Sequence, residues 1–111
     1  MVKMLYASVR ESFDPKAGHS LDEVKAMAER DWRVDLGKAQ ELDVLIAVYN
    51  RYPIGAWRVE SAELSDVPWD KRSTKKRVRL TLGEGVPLQR DWMVVPDLQN
   101  GCRPKSDTSI A

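Results

Sequence analysis

The densest group of side chains suited to chemistry is basic and lies between positions 71 and 79. That segment has six basic residues and no acidic one, whereas the whole chain has 18 basic and 17 acidic residues and a net charge of +1. Lysine and arginine neutralise phosphates and release counterions, which makes binding to nucleic acid salt-dependent. We therefore predict phosphate contacts from six side chains: Lys71, Arg72, Lys75, Lys76, Arg77 and Arg79.

The same basic segment also has a purely structural interpretation. Apolar and polar residues alternate from position 77 to 82, which predicts a strand with Arg77 and Arg79 on its outer face. Edge strands often carry lysines that prevent two sheets from joining edge to edge. The sequence alone leaves both interpretations open.

Aromatic side chains are the second group that could take part in binding. Stacking of a base on such a ring is worth about 1–3 kcal/mol, although packing in the core is the default for each of them. Trp69 adjoins the basic segment in a turn-rich stretch, so we expect it to be accessible, whereas Trp57 lines either the core or an internal pocket. The candidates are Trp32, Tyr49, Trp57, Trp69 and Trp92.

Residues for catalysis are scarce. His19 is the only histidine and Cys102 the only cysteine, and neither has a neighbour in sequence that would form a nucleophile and base pair. The segment 83–86 has two glycines but lacks the third glycine and the lysine of a phosphate-binding loop. We therefore expect no catalytic residue, no metal site and no cofactor, and a protein that is not an enzyme.

Length and composition indicate one small cytoplasmic domain. A chain of 111 residues with 42% hydrophobic residues has room for a single core. One cysteine excludes an internal disulfide, which favours a reducing compartment. The longest apolar run, residues 44–49, is too short to cross a bilayer, and the N-terminus lacks the apolar stretch of a signal peptide, so we expect no membrane partner.

The hydrophobic pattern predicts several strands and one good helix. Ser20 and Glu23 have the spacing of a capping box, so we expect a helix over residues 21–31, with a further helical turn or two within 36–42. Strands are predicted over residues 3–9, 44–49 and 54–60, and the last two form a hairpin. Another strand starts near Lys75.

The C-terminal part is expected to be less regular. Residues 65–70 should interrupt the strands, and residues 93–95 should form a last strand stopped by Pro96. We place a single domain over residues 1–96 and a polar, flexible tail over 97–111. The fold class is α+β: a small curved, mostly antiparallel sheet, or a partly closed β-barrel, with one main N-terminal helix.

The order of these pieces resembles the PUA-like superfamily, the small barrels that include ASCH, EVE and YTH domains. A strand over residues 4–9, a helix that ends before Trp32, and the hairpin of 44–50 and 54–59 are similar to that plan. Small bacterial and phage proteins of uncharacterised role show a similar succession, including a pair such as Gln99 and Asn100. The resemblance extends over roughly residues 4–82.

This resemblance implies recognition of RNA or DNA, often of a modified or flipped base in an aromatic pocket beside a basic surface. By position, the residues nearest such a pocket are Trp32, Tyr49, Asn50 and Trp57. The leading hypothesis is a nucleic-acid-binding module that uses the basic strand. The alternative is a phage-type accessory module that binds or inhibits a host protein through the same strand or an exposed sheet edge.

Overall fold

The computed structural model describes residues 2–10, 12–96, 98 and 102–107 of the chain. Within them, five strands form one sheet in the order β4-β3-β2-β1-β5, with two short α-helices and one 3-10 turn. The elements are β1 Val2–Ser8, α1 Leu21–Ala28, α2 Leu36–Ala39, β2 Val44–Tyr49, β3 Tyr52–Pro68, β4 Lys76–Gly85, the 3-10 turn Arg90–Trp92 and β5 Cys102–Asp107.

The α+β class with a mostly antiparallel sheet is confirmed, whereas the partly closed barrel is not, since the sheet formed by the described residues is open. Strands β1 and β2 are parallel, while the other three neighbouring pairs are antiparallel. Strands β4 and β5 are the two ends of the strand order. None of the helices among the described residues is long and apolar enough to cross a membrane.

The parallel pair requires a crossover, and α1 lies within it. Helix α1 begins with the predicted capping box: the Ser20 hydroxyl accepts from the Glu23 backbone N–H, and the Glu23 carboxylate accepts from the Ser20 N–H. Val24 and Ala28 turn their side chains into the core. The β1–β2 register places Ser8 opposite Val48, so the carboxyl ends of the two strands lie side by side.

A two-residue turn joins β2 to β3. Tyr49 pairs with Tyr52, and the two residues between them, Asn50 and Arg51, have φ angles of 50° and 68°. Positive φ at both central residues is the requirement of a type I′ turn, which matches the twist of a hairpin. The predicted hairpin is therefore confirmed, although its turn contains no glycine.

Strand β3 is longer than predicted and runs 17 residues to Pro68. The expected interruption at residues 65–70 was wrong because the chain stays extended beside β4, with an irregular register between Leu64 and Pro68. Pro68 is tolerated because it is the last residue of its strand. The β3–β4 hairpin therefore turns only at residues 69–75, which we call the hairpin tip.

The sheet is covered on both faces. Alternate residues of β1 separate the faces: Leu5 and Ala7 pack in one cluster with Val24 of α1, whereas Met4 and Tyr6 pack in a second cluster with Trp92. That second face is covered by the segment after β4, whose apolar side chains pack across the strands. The Tyr6 hydroxyl donates to the Trp92 carbonyl at 2.9 Å and fixes this cover.

Two predictions for the C-terminal region were wrong. Residues 93–95 do not form a strand, because this segment crosses the sheet face rather than pairing with an edge. Residues 102–107, placed in the tail, form β5 and pair with β1, which extends the sheet beyond the boundary drawn at residue 96. Pro104 is compatible with β5 because β5 is an edge strand. Gln99, Asn100 and the last four positions lie outside the described residues.

Candidate nucleic-acid interface

The outer edge of β4 is covered by the chain that leaves α1. Trp32 and Val78 exchange two backbone hydrogen bonds of 2.8 and 2.9 Å, and the Leu80 N–H donates to the Glu29 carbonyl at 3.0 Å. The Leu82 N–H donates to the Glu29 carboxylate at 2.9 Å. This part of the edge is therefore already paired, and lysines are not needed to protect it from another sheet.

The exposed cations of the basic segment surround the hairpin tip. Lys71, Arg72, Lys75 and Lys76 are all exposed, and none of them forms an ion pair with a carboxylate of the described residues. The loop that carries them is ordered by its own side chains. Asp70 accepts from the Arg72 N–H at 2.9 Å, and the Ser73 hydroxyl accepts from the Lys75 N–H at 3.1 Å.

Trp69 is held in place at the base of the tip. Its indole Nε1 donates to the Lys76 carbonyl at 2.9 Å, and its backbone N–H donates to the Lys75 carbonyl at 2.9 Å. The Lys75 ammonium lies 5.0 Å from the ring centroid, within the range of a cation–π contact. The ring is half-buried, so the tip combines a fixed aromatic surface with exposed positive charge.

Arg77 does not point outward as predicted. Its guanidinium donates to the carbonyls of Pro68 at 3.1 Å, Trp69 at 3.1 Å and Asp31 at 3.5 Å, and the residue is half-buried. Backbone carbonyls at the end of a hairpin need donors, and the planar guanidinium supplies several at once. Arg77 thus holds Trp69 in position and is not free for a phosphate.

Arg79 remains available but lies apart from the tip. Its side chain is 58% exposed, and its Nη2 is 4.0 Å from the Asp31 carboxylate, too long for a hydrogen bond. Arg79 also lines a cleft of about 490 Å³ together with Glu29 and Arg30. Acidic and basic side chains therefore share this second surface, in contrast to the tip.

The aromatic residues implied by the resemblance are used for packing. Trp57 is 5% exposed, and its ring packs so close to Gly55 that an added Cβ would lie 2.7 Å from it. The Trp32 indole donates to the Ala28 carbonyl at 2.7 Å. Tyr49 packs against Phe13 with ring centroids 4.9 Å apart. These three residues lie on one core cluster, so they do not offer stacking surfaces beside the basic tip.

Asn50 lies in the β2–β3 turn, at the opposite end of β3 from the hairpin tip. It is exposed and lines a different cleft, together with Arg10 and Arg51. Sequence reasoning missed both arginines because they are isolated in sequence, and only the parallel pairing of β1 with β2 brings them together. Asn50 therefore belongs with these cations rather than with the basic strand.

No protein-family model, curated protein or solved structure matches this chain. Among those residues, no group of three or more His, Cys, Asp or Glu side chains is arranged to hold a metal ion.

The two side chains considered for a nucleophile and base pair, Cys102 and His19, each contact a neighbouring residue. Burial raises the pKa of the Cys102 thiol to about 11, and its Sγ donates to the Arg33 carbonyl at 3.6 Å. A thiol with that pKa is protonated at neutral pH and is a poor nucleophile. His19 Nδ1 lies 2.9 Å from the Glu23 carboxylate, and this hydrogen bond lowers the pKa of Glu23.

Proposed function

We propose that this protein is a non-catalytic nucleic-acid-binding module that contacts the phosphate backbone of RNA or DNA with the β3–β4 hairpin tip. One observation supports the proposal above the others. Four exposed cations without carboxylate partners among the described residues surround a tryptophan that is held by three neighbouring contacts. Exposed cations provide affinity for a polyanion, and the fixed ring provides a surface for a base.

In this arrangement Lys71, Arg72 and Lys76 contact successive phosphates. Lys75 has a second role, because its ammonium lies over the Trp69 ring in the free protein. A base that stacks on Trp69 displaces this ammonium, which then reaches a phosphate. Arg77 contributes indirectly by holding the Trp69 carbonyl, so the ring does not have to be ordered when the ligand binds.

The PUA-like relationship and the cytoplasmic location remain proposals. The PUA-like relationship is supported by the order of the elements along the chain, which is a strand, a helix, a strand parallel to the first, and a hairpin. However, the two tryptophans that would line the implied aromatic pocket, Trp32 and Trp57, pack with the core cluster. We therefore propose backbone recognition by the tip rather than capture of a flipped base.

Fluorescence anisotropy with labelled single-stranded and double-stranded DNA and RNA tests the proposal. With four phosphate contacts, affinity should fall by about 50-fold to 150-fold between 50 and 200 mM salt. Lys71→Ala/Arg72→Ala should weaken binding at both salt concentrations. The control Lys16→Ala/Arg90→Ala, which removes the same charge from exposed positions away from the tip, should keep most of the affinity.

Absence of binding to all four nucleic acids would remove the proposal. So would equal losses in the tip variant and the control variant, since the tip would then contribute only through net charge. A clear preference among the four ligands would identify the natural class of nucleic acid.

A second candidate, a protein-interaction module that binds a host protein, is favoured by two apolar side chains on the same hairpin. Leu64 is 55% exposed and Val67 is 38% exposed, and neither is needed for phosphate contacts. Their replacement, Leu64→Ser/Val67→Ser, should leave nucleic-acid affinity unchanged under the first candidate. An acidic protein that is retained by the wild type after nuclease treatment, but is lost by this variant, would favour the second.

A further inference from the structure

A second cationic surface lies at the carboxyl ends of the parallel strands β1 and β2. It is a cleft of about 400 Å³, within the range of small-ligand sites. Ser8 and Val48, opposite each other in the β1–β2 register, form its floor. In parallel α/β sheets, ligands bind outside the carboxyl ends of the strands, and β1 and β2 are a parallel pair within this otherwise antiparallel sheet.

The polar side of the cleft has two arginines from different parts of the chain. Arg10 follows β1 and Arg51 lies in the β2–β3 turn, and both are exposed. Neither guanidinium pairs with a carboxylate in the part of the chain that the structure describes. Two arginines that line one cleft are suited to the oxygens of a phosphate, since each guanidinium can donate two parallel hydrogen bonds.

The remaining wall has mixed character. Asn50 supplies an amide that can both donate and accept a hydrogen bond, and Ser8 supplies a hydroxyl. Val95, Pro96 and Leu98, from the segment that covers the second sheet face, supply apolar surface. A ligand that matches the cleft therefore has an anionic group at one end and a partly apolar body.

The backbone at Arg51 has an unusual conformation for a residue with a side chain. Its φ of 68° lies in the left-handed region, where glycine is favoured and a residue with a Cβ is strained. Asn50, at φ 50°, is a residue type that tolerates this region, but arginine is not. The type I′ turn imposes this conformation on Arg51, and strained residues are frequent at ligand sites.

We propose that this cleft binds a small organic phosphate, with the phosphate between Arg10 and Arg51 and the body of the ligand against Val95 and Leu98. A nucleoside monophosphate has this chemistry, and so does the phosphorylated end of an oligonucleotide. The cleft lies at the opposite end of β3 from the hairpin tip, so the inference goes beyond the proposed function and does not depend on it.

The test is an NMR titration of the full chain with inorganic phosphate, AMP and adenosine. AMP should give saturable shifts at the amides of Ser8, Asn50 and Arg51, and it should bind at least ten-fold more tightly than adenosine. Inorganic phosphate should shift the same amides with lower affinity. The amides of the hairpin tip should not shift with AMP in the same way, which separates this site from the proposed nucleic-acid interface.

Two variants and a control complete the test. Arg51→Gly fits the turn without strain, so it should fold normally and yet bind AMP at least ten-fold more weakly. Arg10→Ala should have a similar effect, while Arg58→Ala, which removes an exposed arginine paired with Glu84, should bind AMP as the wild type does. Equal binding of AMP and adenosine, or unchanged binding in Arg51→Gly, would overturn the proposal.

Titration with oligonucleotides that carry either a 5′-phosphate or a 5′-hydroxyl then identifies the source of the phosphate. Shifts at Ser8 and Arg51 that require the 5′-phosphate would assign the cleft to a nucleic-acid end. Shifts with AMP alone would assign it to a free nucleotide. Either result supports phosphate binding by this cleft.

Discussion

The two ends of strand β3 both present positive charge, but they do so in different ways. At the hairpin tip, Lys71 and Arg72 extend from a loop whose backbone is satisfied by Asp70 and Ser73. At the β2–β3 turn, Arg51 occupies a strained backbone position and lines a cleft. Exposed cations on an ordered loop suit an extended polyanion, whereas cations that line a cleft suit a compact anion.

The number of basic residues in a segment does not identify which of them bind a ligand. Arg77 belongs to the densest basic segment but is used to hold three backbone carbonyls. Arg10 and Arg51 belong to no such segment but have no carboxylate partner within the described residues. The environment of each guanidinium decides its role.

Arg77→Ala should have the largest effect on the hairpin tip. The change removes hydrogen bonds from a charged donor to the carbonyls of Pro68, Trp69 and Asp31, so the free energy of unfolding should fall by about 2–3 kcal/mol. Urea denaturation followed by tryptophan fluorescence measures this loss. Arg77→Lys keeps the charge but not the planar fork, so its stability should lie between those of the wild type and Arg77→Ala. If Arg77→Ala is as stable as the wild type, the hydrogen bonds of the Arg77 guanidinium have no structural role.

Trp69→Ala should have the second-largest effect, which is a loss of affinity for nucleic acid. Loss of one stacked base weakens affinity by about 1–2 kcal/mol, while Trp69→Phe keeps a ring and should lose less. Anisotropy at fixed salt measures both variants. If Trp69→Ala and Trp69→Phe bind equally well, the contribution of the tip is purely electrostatic.

Arg51→Gly should have a smaller effect of opposite sign at the other end of β3. Relief of the positive φ should raise the free energy of unfolding by about 0.5–1 kcal/mol. Arg51→Ala removes the guanidinium but keeps the Cβ, so it should not be stabilised. Thermal denaturation measures the stabilities of Arg51→Gly and Arg51→Ala. Equal stabilities of these two variants would show that the turn is not strained.

Acidification should have the smallest effect and should be confined to the region near the β2–β3 turn. The hydrogen bond from His19 lowers the pKa of Glu23 below its ordinary value of 4.5, so this stabilisation is present above that pH and is lost as the pH falls through the lower, folded-state pKa. His19 packs on Phe13, which packs on Tyr49. The protection factors of the amides near Phe13, which correct for the slower intrinsic exchange at low pH, should therefore fall below pH 4.5 in the wild type, but this pH step should be absent in Glu23→Gln.

Local patterns predicted the parts of the fold that depend on neighbours in sequence. The Ser20–Glu23 capping box and the apolar strand β2 were predicted correctly, and the strand predicted over residues 54–60 lies within β3. Strand β5 was not, because its polar sequence gives no alternating signal and its partner β1 is almost the whole chain away. The cover by residues 86–96 was missed because its apolar residues pack across a face and follow no strand or helix period.

The candidate site was predictable only in part, because some of its contacts join residues that are distant in sequence. The sequence located the basic segment and singled out Trp69 beside it. It could not show that the carbonyls of Pro68 and Trp69 would take Arg77 as their donor, since that depends on where β3 ends. Nor could it show that Glu29 covers the β4 edge, because this contact joins residues far apart in sequence.

The salt dependence of affinity tests the central claim, that the hairpin tip contacts phosphates, most directly. Affinity for the preferred nucleic acid is measured at several salt concentrations for the wild type, Lys71→Ala/Arg72→Ala and Lys16→Ala/Arg90→Ala. The slope of log affinity against log salt should become shallower by about 1.4–1.8 in the tip variant, because two phosphate contacts are lost, and should stay near the wild-type value in the control. An unchanged slope in the tip variant would contradict the account.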